Sequence, residues 1–434
     1  MKKSIEERMH LLKWLYPGMR VKRWLVLVIC GVVLIGTGLA LVINGRILGV
    51  VEDLLKHLSR ISTGRILPPV ANGLFLVGTG IAVSIWGTAR IFRSIFVACQ
   101  PIGNGQLVDI IYRNRQLEQG LRVVAFGGGT GLASLLRGLK DYTSNITAVV
   151  TVSDDGGSSG ILRRETGIVP PGDIRNCLVA LADAEPLMTR LFQHRFNGLP
   201  GLEGHAFGNL LLSALTDVAG DFEVAVKEAS RVLAVRGRVF PSTLEDVVLW
   251  GEMNDGSLIC GESHITASNQ NIRRVYLKPD NCKPAPEVME AIEEADAILV
   301  GPGSLYTSVI PNLLISGVAD AVREAEAVKI YVCNVMTQPG ETDRYTAGDH
   351  LKALIDHAGS VVDYMLINNA RPSEEALRKY REEGAELVRA IPEEIVRLGV
   401  QPIMRHLINR NVLVRHSPRR LGEAIYAVME AVIQ

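Results

Sequence analysis

The sequence predicts an α/β protein with a mostly parallel sheet covered by helices on both faces, preceded by two transmembrane helices. Three observations support this prediction. Two long uncharged apolar runs lie within the first hundred residues. Short β-branched runs then alternate with amphipathic stretches, which is the pattern of repeated βαβ units. Glycine-rich polar loops follow several of these short runs, where the strands of an open parallel sheet end.

The two apolar runs predict membrane spans. The first covers residues 24–43 and the second residues 66–89, and a helix needs roughly 20 residues to cross a bilayer. Pro68 and Pro69 stand near the start of the second run, where a helix tolerates proline. We therefore predict a membrane hairpin over residues 1–100 with spans at about 24–43 and 68–89, a linker over 101–120, and a soluble domain over 121–434.

The residues that flank the spans predict their orientation. Basic residues precede the first span and follow the second: Lys2, Lys3, Arg8, Lys13, Arg20, Lys22, Arg23, Arg90 and Arg93. The segment between the spans is less basic, and residues 50–61 have the pattern of a short amphipathic helix on the outer surface. Because loops rich in lysine and arginine stay inside, we expect a two-span cell-membrane protein with the lipid bilayer as a partner and the soluble domain in the cytoplasm.

Composition excludes several classes of function. The chain carries 46 basic and 46 acidic residues, so its charge does not indicate nucleic-acid binding. Its cysteines form no CxxC pair and have no regular spacing, which argues against a disulfide framework and a structural zinc site. Cysteines of this kind suit a reducing cytosol.

The soluble part alternates predicted strands and helices. Strands are expected at residues 122–126, 146–153, 297–300, 329–333 and 364–367, and helices at 132–140, 286–294 and 374–383. One segment breaks the alternation, because Asn254, Asp255 and Gly256 have the composition of a hairpin turn.

The first predicted strand ends in three glycines, within the stretch VVAFGGGTGLASLLRGLK. Gly127, Gly128 and Gly129 allow a tight turn, and Gly131 after Thr130 lets the next helix lie close to the strand. The N–H groups at the start of that helix would then face an anion such as phosphate or pyrophosphate. The spacing is not GxGxxG and contains no P-loop lysine, so neither dinucleotide binding nor ATP hydrolysis follows. A plain tight turn is the alternative.

The second predicted strand leads into TVSDDGGSSG, which contains two adjacent carboxylates. Asp154 and Asp155 would lie at the carboxyl end of this strand, beside the glycine loop. There they could hold a ribose hydroxyl or a Mg²⁺ ion that bridges phosphates, or they could deprotonate a substrate hydroxyl. The alternative is a turn that caps a solvent-exposed loop.

Further polar clusters stand where later strands meet helices. Asp173 is a predicted N-cap with Arg175 and Asn176 after it, and His205 and Asn209 are predicted on one helical face. Capping and core contacts would explain either cluster alone. The strand at 297–300 ends in a second set of backbone donors and hydroxyls, and the strand after it ends in polar side chains. The residues of these two loops are Gly301, Pro302, Gly303, Ser304 and Thr307, then Asn334, Thr337 and Gln338.

Together these segments resemble the gluconeogenesis factor family, relatives of the phospholactate transferase that builds a deazaflavin coenzyme. The motifs are GGGTGL, TVSDDGGSSG, PPGDIRN, GHAFGNL, GPGSLYTSVIPNLL and CNVMTQPGET, and the resemblance runs from about Arg122 to the C-terminus. It implies a Rossmann-like fold and a nucleotide-type ligand. For the factor branch it implies UDP-sugar ligands and a role in cell shape and cell wall synthesis during growth on gluconeogenic carbon sources. The transferase branch joins a phospholactyl group from a guanosine diphosphate carrier to a deazaflavin alcohol.

Two features depart from those relatives. The loop after Asp155 is of the short GGSSG type of the factor branch, so the deazaflavin-binding loop of the transferase branch is not evident. The membrane hairpin is expected to be absent from most members, so their cytosolic location does not carry over.

The resulting hypothesis is a membrane-anchored, cytoplasm-facing UDP-sugar-binding regulator. Its two glycine loops would hold the diphosphate, one of the two aspartates would orient a ribose, and the remaining side chains would contact the base or the sugar. Asp154 is also the candidate ligand of a Mg²⁺ ion. The predicted binding residues are Gly127, Gly128, Gly129, Thr130, Gly131, Asp154, Asp155, Asn209, Gly301, Gly303, Ser304, Tyr306 and Asn312.

Two alternatives stay open. In a transferase of the phospholactate transferase type, Asp154 or Asp155 would deprotonate an acceptor alcohol while Mg²⁺ neutralises the leaving diphosphate. In a membrane scaffold, the site would bind nothing. A second copy of the chain is a further candidate partner.

Overall fold

The computed structural model describes residues 22–43, 69–99, 115–183, 186–409 and 414–433. The chain divides into two compact units, Met1–Gln106 and Leu107–Gln434. The predicted amphipathic helix at 50–61, the basic residues before position 22 and most of the predicted linker lie outside the described residues. Residues 115–118 form a helical turn in which Leu117 is buried and accepts a hydrogen bond from the N–H of Ser144. The second unit, which we call the soluble unit, therefore includes residues that the prediction assigned to the linker.

The first unit contains two apolar helices, α1 (Lys22–Ile43) and α2 (Pro69–Cys99). Both are long and apolar enough to cross a membrane, with candidate spans at Arg23–Ile43 and Val70–Phe92. Large apolar side chains such as Val33 and Phe75 are exposed on their outer surfaces, as expected for lipid-facing positions. Both predicted spans are thus apolar helices of the required length, and α2 begins at the predicted proline but continues ten residues past position 89.

Glycines let α1 and α2 approach each other closely. A Cβ atom on Gly38 would lie 2.6 Å from the carbonyl oxygen of Gly73, and a Cβ atom on Gly80 would lie 2.6 Å from that of Gly31. The two glycines of each helix are seven residues apart, which places them on one helical face. Small residues at such positions allow backbone-to-backbone packing between membrane helices.

The second unit is built on two sheets. Its strands are β1 (Val123–Gly127), β2 (Ile146–Val150), β3 (Arg238–Pro241), β4 (Val248–Met253), β5 (Leu258–Cys260), β6 (Ile272–Lys278), β7 (Ala297–Val300), β8 (Val328–Val332), β9 (Tyr364–Asn368) and β10 (Gln401–Arg405). The larger sheet has the order β10-β9-β8-β7-β1-β2-β3, and all its neighbouring strands run parallel. The predicted parallel sheet is therefore confirmed, with β3 and β10 as strands that the sequence patterns did not indicate.

Helices surround this sheet. They are α3 (Gly129–Leu139), α4 (Gly157–Thr166), α5 (Pro171–Leu181), α6 (Pro186–Gln193), α7 (Phe207–Ala219), α8 (Phe222–Val232), α9 (Glu262–Ala267), α10 (Pro286–Glu293), a π-helical turn (Leu305–Val309), α11 (Ile310–Leu313), α12 (Val318–Glu324), α13 (Ala347–Ala358), α14 (Glu374–Glu382), α15 (Pro392–Arg397) and α16 (Pro418–Ile433). Side chains that alternate along β1 enter two separate apolar cores: Val124 and Phe126 join one, Val123 and Ala125 the other. This is the period of two expected for a strand buried on both faces.

The insert that breaks the alternation is a three-stranded antiparallel sheet with the order β5-β4-β6. Its predicted turn is confirmed, since the N–H of Gly256 donates to the carbonyl of Met253 over 3.0 Å between β4 and β5.

The strand order places a switch point between β1 and β7. From β1 the chain proceeds outward through β2 and β3 on one side, whereas β7 to β10 extend on the other side. Open α/β sheets bind ligands at the carboxyl ends of the two strands where the order reverses, because the loops diverge there. The loops after β1 and β7 are the two glycine loops.

Candidate functional site

The first glycine loop leads directly into α3. Gly128 is extended and Gly129 has a φ of +59°, a left-handed value that favours glycine. The N–H of Gly129 donates to a carboxylate oxygen of Asp173 over 2.7 Å. The N–H groups of Thr130 and Gly131, in the first turn of α3, have no hydrogen-bond partner among the described residues. Two of the predicted backbone donors are thus free, and the third is taken by an internal carboxylate.

The second glycine loop packs against the first. A Cβ atom on Gly131 would lie 2.4 Å from the carbonyl oxygen of Pro302, so the two loops touch at this position. Asn334 holds Gly303 in place, because its side-chain amide donates to the Gly303 carbonyl over 2.7 Å and accepts from the Gly303 N–H over 3.1 Å. The Ser304 hydroxyl donates to Gln338 over 2.6 Å. The polar loop after β8 therefore positions the loop after β7.

These loops border a cavity of about 200 Å³. The cavity also contains a cation that sequence reasoning missed: Arg415, whose side chain is exposed. No local motif marks this arginine in the sequence. Burial lowers the pKa of the neighbouring His416 to about 4, so that imidazole is neutral at pH 7. The lining residues are Gly128, Gly129, Thr130, Gly131, Ser134, Pro302, Gly303, Ser304, Ser308, Asn334, Val335, Met336, Gln338, Val414, Arg415 and His416.

The adjacent aspartates after β2 have different partners. Asp154 is largely buried and accepts from the N–H of Gly156 over 2.9 Å, and burial raises its pKa. Asp155 accepts from the N–H of Ser263 over 2.9 Å and from the Ser263 hydroxyl over 2.6 Å, so it caps α9 of the insert. Neither aspartate lines the cavity: Asp154 lies near Asp173, and Asp155 holds α9 of the insert.

Asp173 does not cap its own helix. The N-cap of α5 is Pro170, and Asp173 lies in the first turn, from which its carboxylate reaches Gly129. The predicted N-cap role is therefore wrong. Burial, together with the charge of Asp154, raises the pKa of Asp173 to about 6.

Two glutamates from distant segments complete an acidic group that the sequence did not indicate. Glu341 is buried and accepts from the Thr307 hydroxyl and the Gln338 amide, each over 2.9 Å. Burial raises its pKa to about 7, and its second oxygen has no partner among the described residues. Burial raises the pKa of Glu262 at the start of α9 well above its usual range, and Asp154 adds to the shift. Glu341 lies within the CNVMTQPGET motif, so membership of that motif is the sequence feature that could have identified it.

A second polar group lies where α4, α5 and α7 begin. His205 and Asn209 both contact the Ser158 hydroxyl, each over 3.1 Å. His205 precedes α7, so the prediction that both residues share one helical face is wrong, although they share one partner. Arg175 is buried beside Gly208, and two of its nitrogens and the Asn209 carbonyl oxygen have no partner among the described residues. Such buried polar atoms are normally satisfied by water or a ligand.

Two other predicted contacts lie in the core. Tyr306 is buried, and its hydroxyl pairs with that of Tyr345 at 2.8 Å. Asn312 is fully buried and donates to the carbonyl oxygens of Gly127 and Ser308 over 3.3 and 2.8 Å. Neither side chain lines the cavity. Both support the loops instead of reaching a base or sugar there.

Among the described residues, no three Asp, Glu, His or Cys side chains are placed to hold a metal ion together. The geometry does not fit an all-protein metal site. A Mg²⁺ ion held by one or two carboxylates and completed by phosphate oxygens and water remains compatible with it.

A larger cavity of about 860 Å³ lies at the opposite edge of the sheet. Arg122, Asp296 and Val328 line it at the amino ends of β1, β7 and β8. The diverging loops and free helix-start donors are at the other edge, so the smaller cavity is the better candidate site.

The fold and the site together define a Rossmann-like α/β domain whose candidate ligand site lies at the switch point of the sheet. The family model of 2-phospho-L-lactate transferase CofD matches residues 123–408. A putative gluconeogenesis factor from a Nostoc species is 45% identical over 418 residues, which cover 95% of this chain and 91% of that protein. The gluconeogenesis factor of Bacillus subtilis is 49% identical over 311 residues, 71% of this chain and 98% of that protein. The chain belongs to the gluconeogenesis factor family and contains a CofD domain.

The comparisons also bear on the two units. The crystal structure of a Bacillus halodurans protein, 50% identical, has a TM-score of 0.68 and covers 70% of this chain and 98% of that one. A chain of about the size of the soluble unit therefore folds by itself. The Nostoc match, at 95% of this chain, extends into the N-terminal hundred residues. Some relatives therefore match this N-terminal region, whereas the Bacillus subtilis protein matches only 71% of this chain over 98% of its own length.

Proposed function

We propose that the soluble unit binds a UDP-sugar at the switch-point cavity and that the protein is a membrane-anchored regulator of cell shape and cell wall synthesis on gluconeogenic carbon sources. One observation carries the ligand class: the free N–H groups of Thr130 and Gly131 at the start of α3 border the same cavity as Arg415. Helix-start N–H groups and an arginine are the donors that bind phosphate oxygens in proteins.

The carboxylates beside this cavity indicate that a cation should bind together with the ligand. Asp173 occupies the N–H of Gly129, and Asp154 lies close enough to raise the pKa of Asp173. Two such charges would repel a diphosphate, so a cation should accompany the ligand. A Mg²⁺ ion would supply charge neutralisation between Asp154 and the phosphate oxygens, the arrangement that Mg²⁺ adopts in nucleotide sites.

Calorimetry on the soluble unit tests the ligand class. With Mg²⁺ present, UDP-N-acetylglucosamine should bind more tightly than UMP or the free sugar, because the donors act on the diphosphate. Arg415→Gln should weaken binding about tenfold, the usual cost of losing a charge-assisted hydrogen bond. Arg419→Gln, an exposed arginine on α16 outside the cavity, should bind as the native protein does. Equal or absent binding of all three compounds would contradict the proposal.

A transferase is the second candidate, favoured by the CofD domain and by the buried carboxylate of Asp154. Incubation with UDP-sugars or guanosine diphosphate carriers and Mg²⁺, with detection of released nucleotide, separates the two functions. We expect no release above a denatured control. Sustained release that Asp154→Asn lowers about a hundredfold, with binding within a few fold, would favour the transferase.

The topology is the remaining part of the proposal. Two spans return the chain to its starting side, so the N-terminus and the soluble unit share the cytoplasm, where nucleotide sugars are found. Single cysteines at Ser59 and Ser373 in an otherwise cysteine-free protein test this with a membrane-impermeant reagent on intact cells. Ser59→Cys should be labelled and Ser373→Cys spared. The reverse pattern would invert the topology, and labelling of neither would indicate a hairpin that does not cross.

A further inference from the structure

Helix α6 presents an apolar and basic face to solvent. Leu187 is 66% exposed and Leu191, one turn later, is 39% exposed, whereas Phe192 on the other side of the helix is fully buried. Arg190 is exposed on the same side as the two leucines, since these three residues follow the i, i+3, i+4 spacing of one helical face, and exposed His194 directly follows the helix. The face therefore combines large apolar side chains with basic groups.

The hairpin that follows α6 continues this character. Arg195 and Ala206 pair as its base, and Leu199 and Leu202 at its end are 49% and 37% exposed. Between positions 186 and 206 the exposed charged residues are Arg190, Arg195 and Glu203, with exposed His194 between the two arginines, whereas His205 is buried. We refer to Leu187, Leu191, Leu199 and Leu202 as the leucine surface.

We propose that the leucine surface docks on an anionic lipid bilayer. Leucines that alternate with arginine along a short amphipathic helix are typical of segments that lie in the interface of a membrane. The bilayer is within reach in this protein, because α1 and α2 are candidate spans of the same chain. The chain between the end of α2 and the helical turn that begins at residue 115 can span at most about 55 Å, which lets the surface meet the lipid.

A second copy of the chain fits this surface less well. Most soluble homodimers are two-fold symmetric, so the same patch contributes from both sides. Such a contact would bring Arg190 and Arg195 of one copy toward the same arginines of the other, with Glu203 as the single acidic group of the segment to offset them. Anionic headgroups satisfy both arginines.

Flotation of the soluble unit, Leu107–Gln434, with lipid vesicles tests the proposal, since a relative of this size folds without the spans. Vesicles of phosphatidylcholine alone are compared with vesicles that contain phosphatidylglycerol. We expect recovery with the anionic vesicles and at least a tenfold weaker partition to the neutral ones, because each basic residue near an anionic surface contributes about fivefold. High salt should lower the anionic preference.

Two variants decide between docking and non-specific adhesion. Leu187→Glu/Leu191→Glu should abolish flotation. The matched control is Val232→Glu/Val396→Glu, which alters residues that are 55% and 59% exposed on other elements, and it should float as the native unit does. The proposal is overturned by absence of flotation, by equal loss in both variants, or by a dimer in sedimentation that only the leucine variant dissociates. None of these outcomes depends on nucleotide binding.

Discussion

Asp173→Asn measures how much the buried, ionised carboxylate lowers the free energy of unfolding of the soluble unit. The Asp173 carboxylate accepts from the N–H of Gly129 over 2.7 Å and lies near Asp154. An asparagine keeps an oxygen that can accept the same bond, but it carries no charge. The variant therefore removes the ionisation and leaves the hydrogen bond largely intact.

The expected size follows from the pKa. Burial, with the charge of Asp154, raises the pKa of Asp173 from 3.8 to about 6. Each pKa unit corresponds to about 1.4 kcal/mol, so keeping the carboxylate ionised costs up to about 3 kcal/mol. Because the folded pKa lies above the unfolded one, the folded state binds the proton more tightly, and this contribution to stability falls as pH rises between about 4 and 6.

Denaturant unfolding of the soluble unit at pH 8 and pH 4.5 tests the reasoning. At pH 8 the variant should be more stable than the native unit by up to about 3 kcal/mol, and most of this gain should vanish at pH 4.5, where native Asp173 is protonated. A variant that is equally destabilised at both pH values would refute the argument. That result would mean that the charge strengthens the bond to Gly129 by more than burial costs.

Three further changes test the arrangement of the loops and of the hairpin. Gly131→Ala should abolish nucleotide binding in calorimetry, because its Cβ would start 2.4 Å from an oxygen of the second glycine loop; Gly317→Ala, strained but in open space, should cost about 1 kcal/mol in unfolding and keep binding. Asn334→Asp should weaken binding about tenfold, since a carboxylate cannot donate to the carbonyl that the amide now holds. Gly38→Leu should lower crosslinking between cysteines placed in α1 and α2, whereas Gly36→Leu, with nothing within 4 Å, should not; equal effects would refute the packing.

Local sequence patterns predicted much of the fold, because the burial and the backbone conformation of a segment constrain its own residues. The apolar runs that form β1, β2 and β7 are short and buried on both faces, and a glycine ends β1 and directly follows β7, so the length of the runs and these glycines identify the strands. β10 escaped prediction because its residues, Gln401–Arg405, form a half-exposed edge strand without an apolar run. Edge strands need less burial and therefore leave a weaker signal.

The contacts between loops could not be predicted in the same way. β1 and β7 are neighbours in the sheet although more than 150 residues separate them in the chain. The touch between Gly131 and Pro302 depends on that strand order, and so does the position of Arg415 at the cavity. The sequence shows which loops are rich in glycine, but the strand order of the sheet determines which of these loops contact each other.

Asp154 and Asp155 are adjacent in the sequence but have different partners in the structure. Two adjacent carboxylates suggested one shared ligand, yet successive side chains outside a helix commonly point to different sides. One carboxylate oxygen of Asp155 accepts both hydrogen bonds from Ser263, which holds the insert against the loop after β2. Asp154 is left facing Asp173 and Glu262, whose charges act on one another. The insert therefore contributes to the acidic group beside the cavity, because it fixes Asp155 and brings Glu262 near Asp154. Its removal should change the environment of Asp154 even though the insert lies outside the parallel sheet.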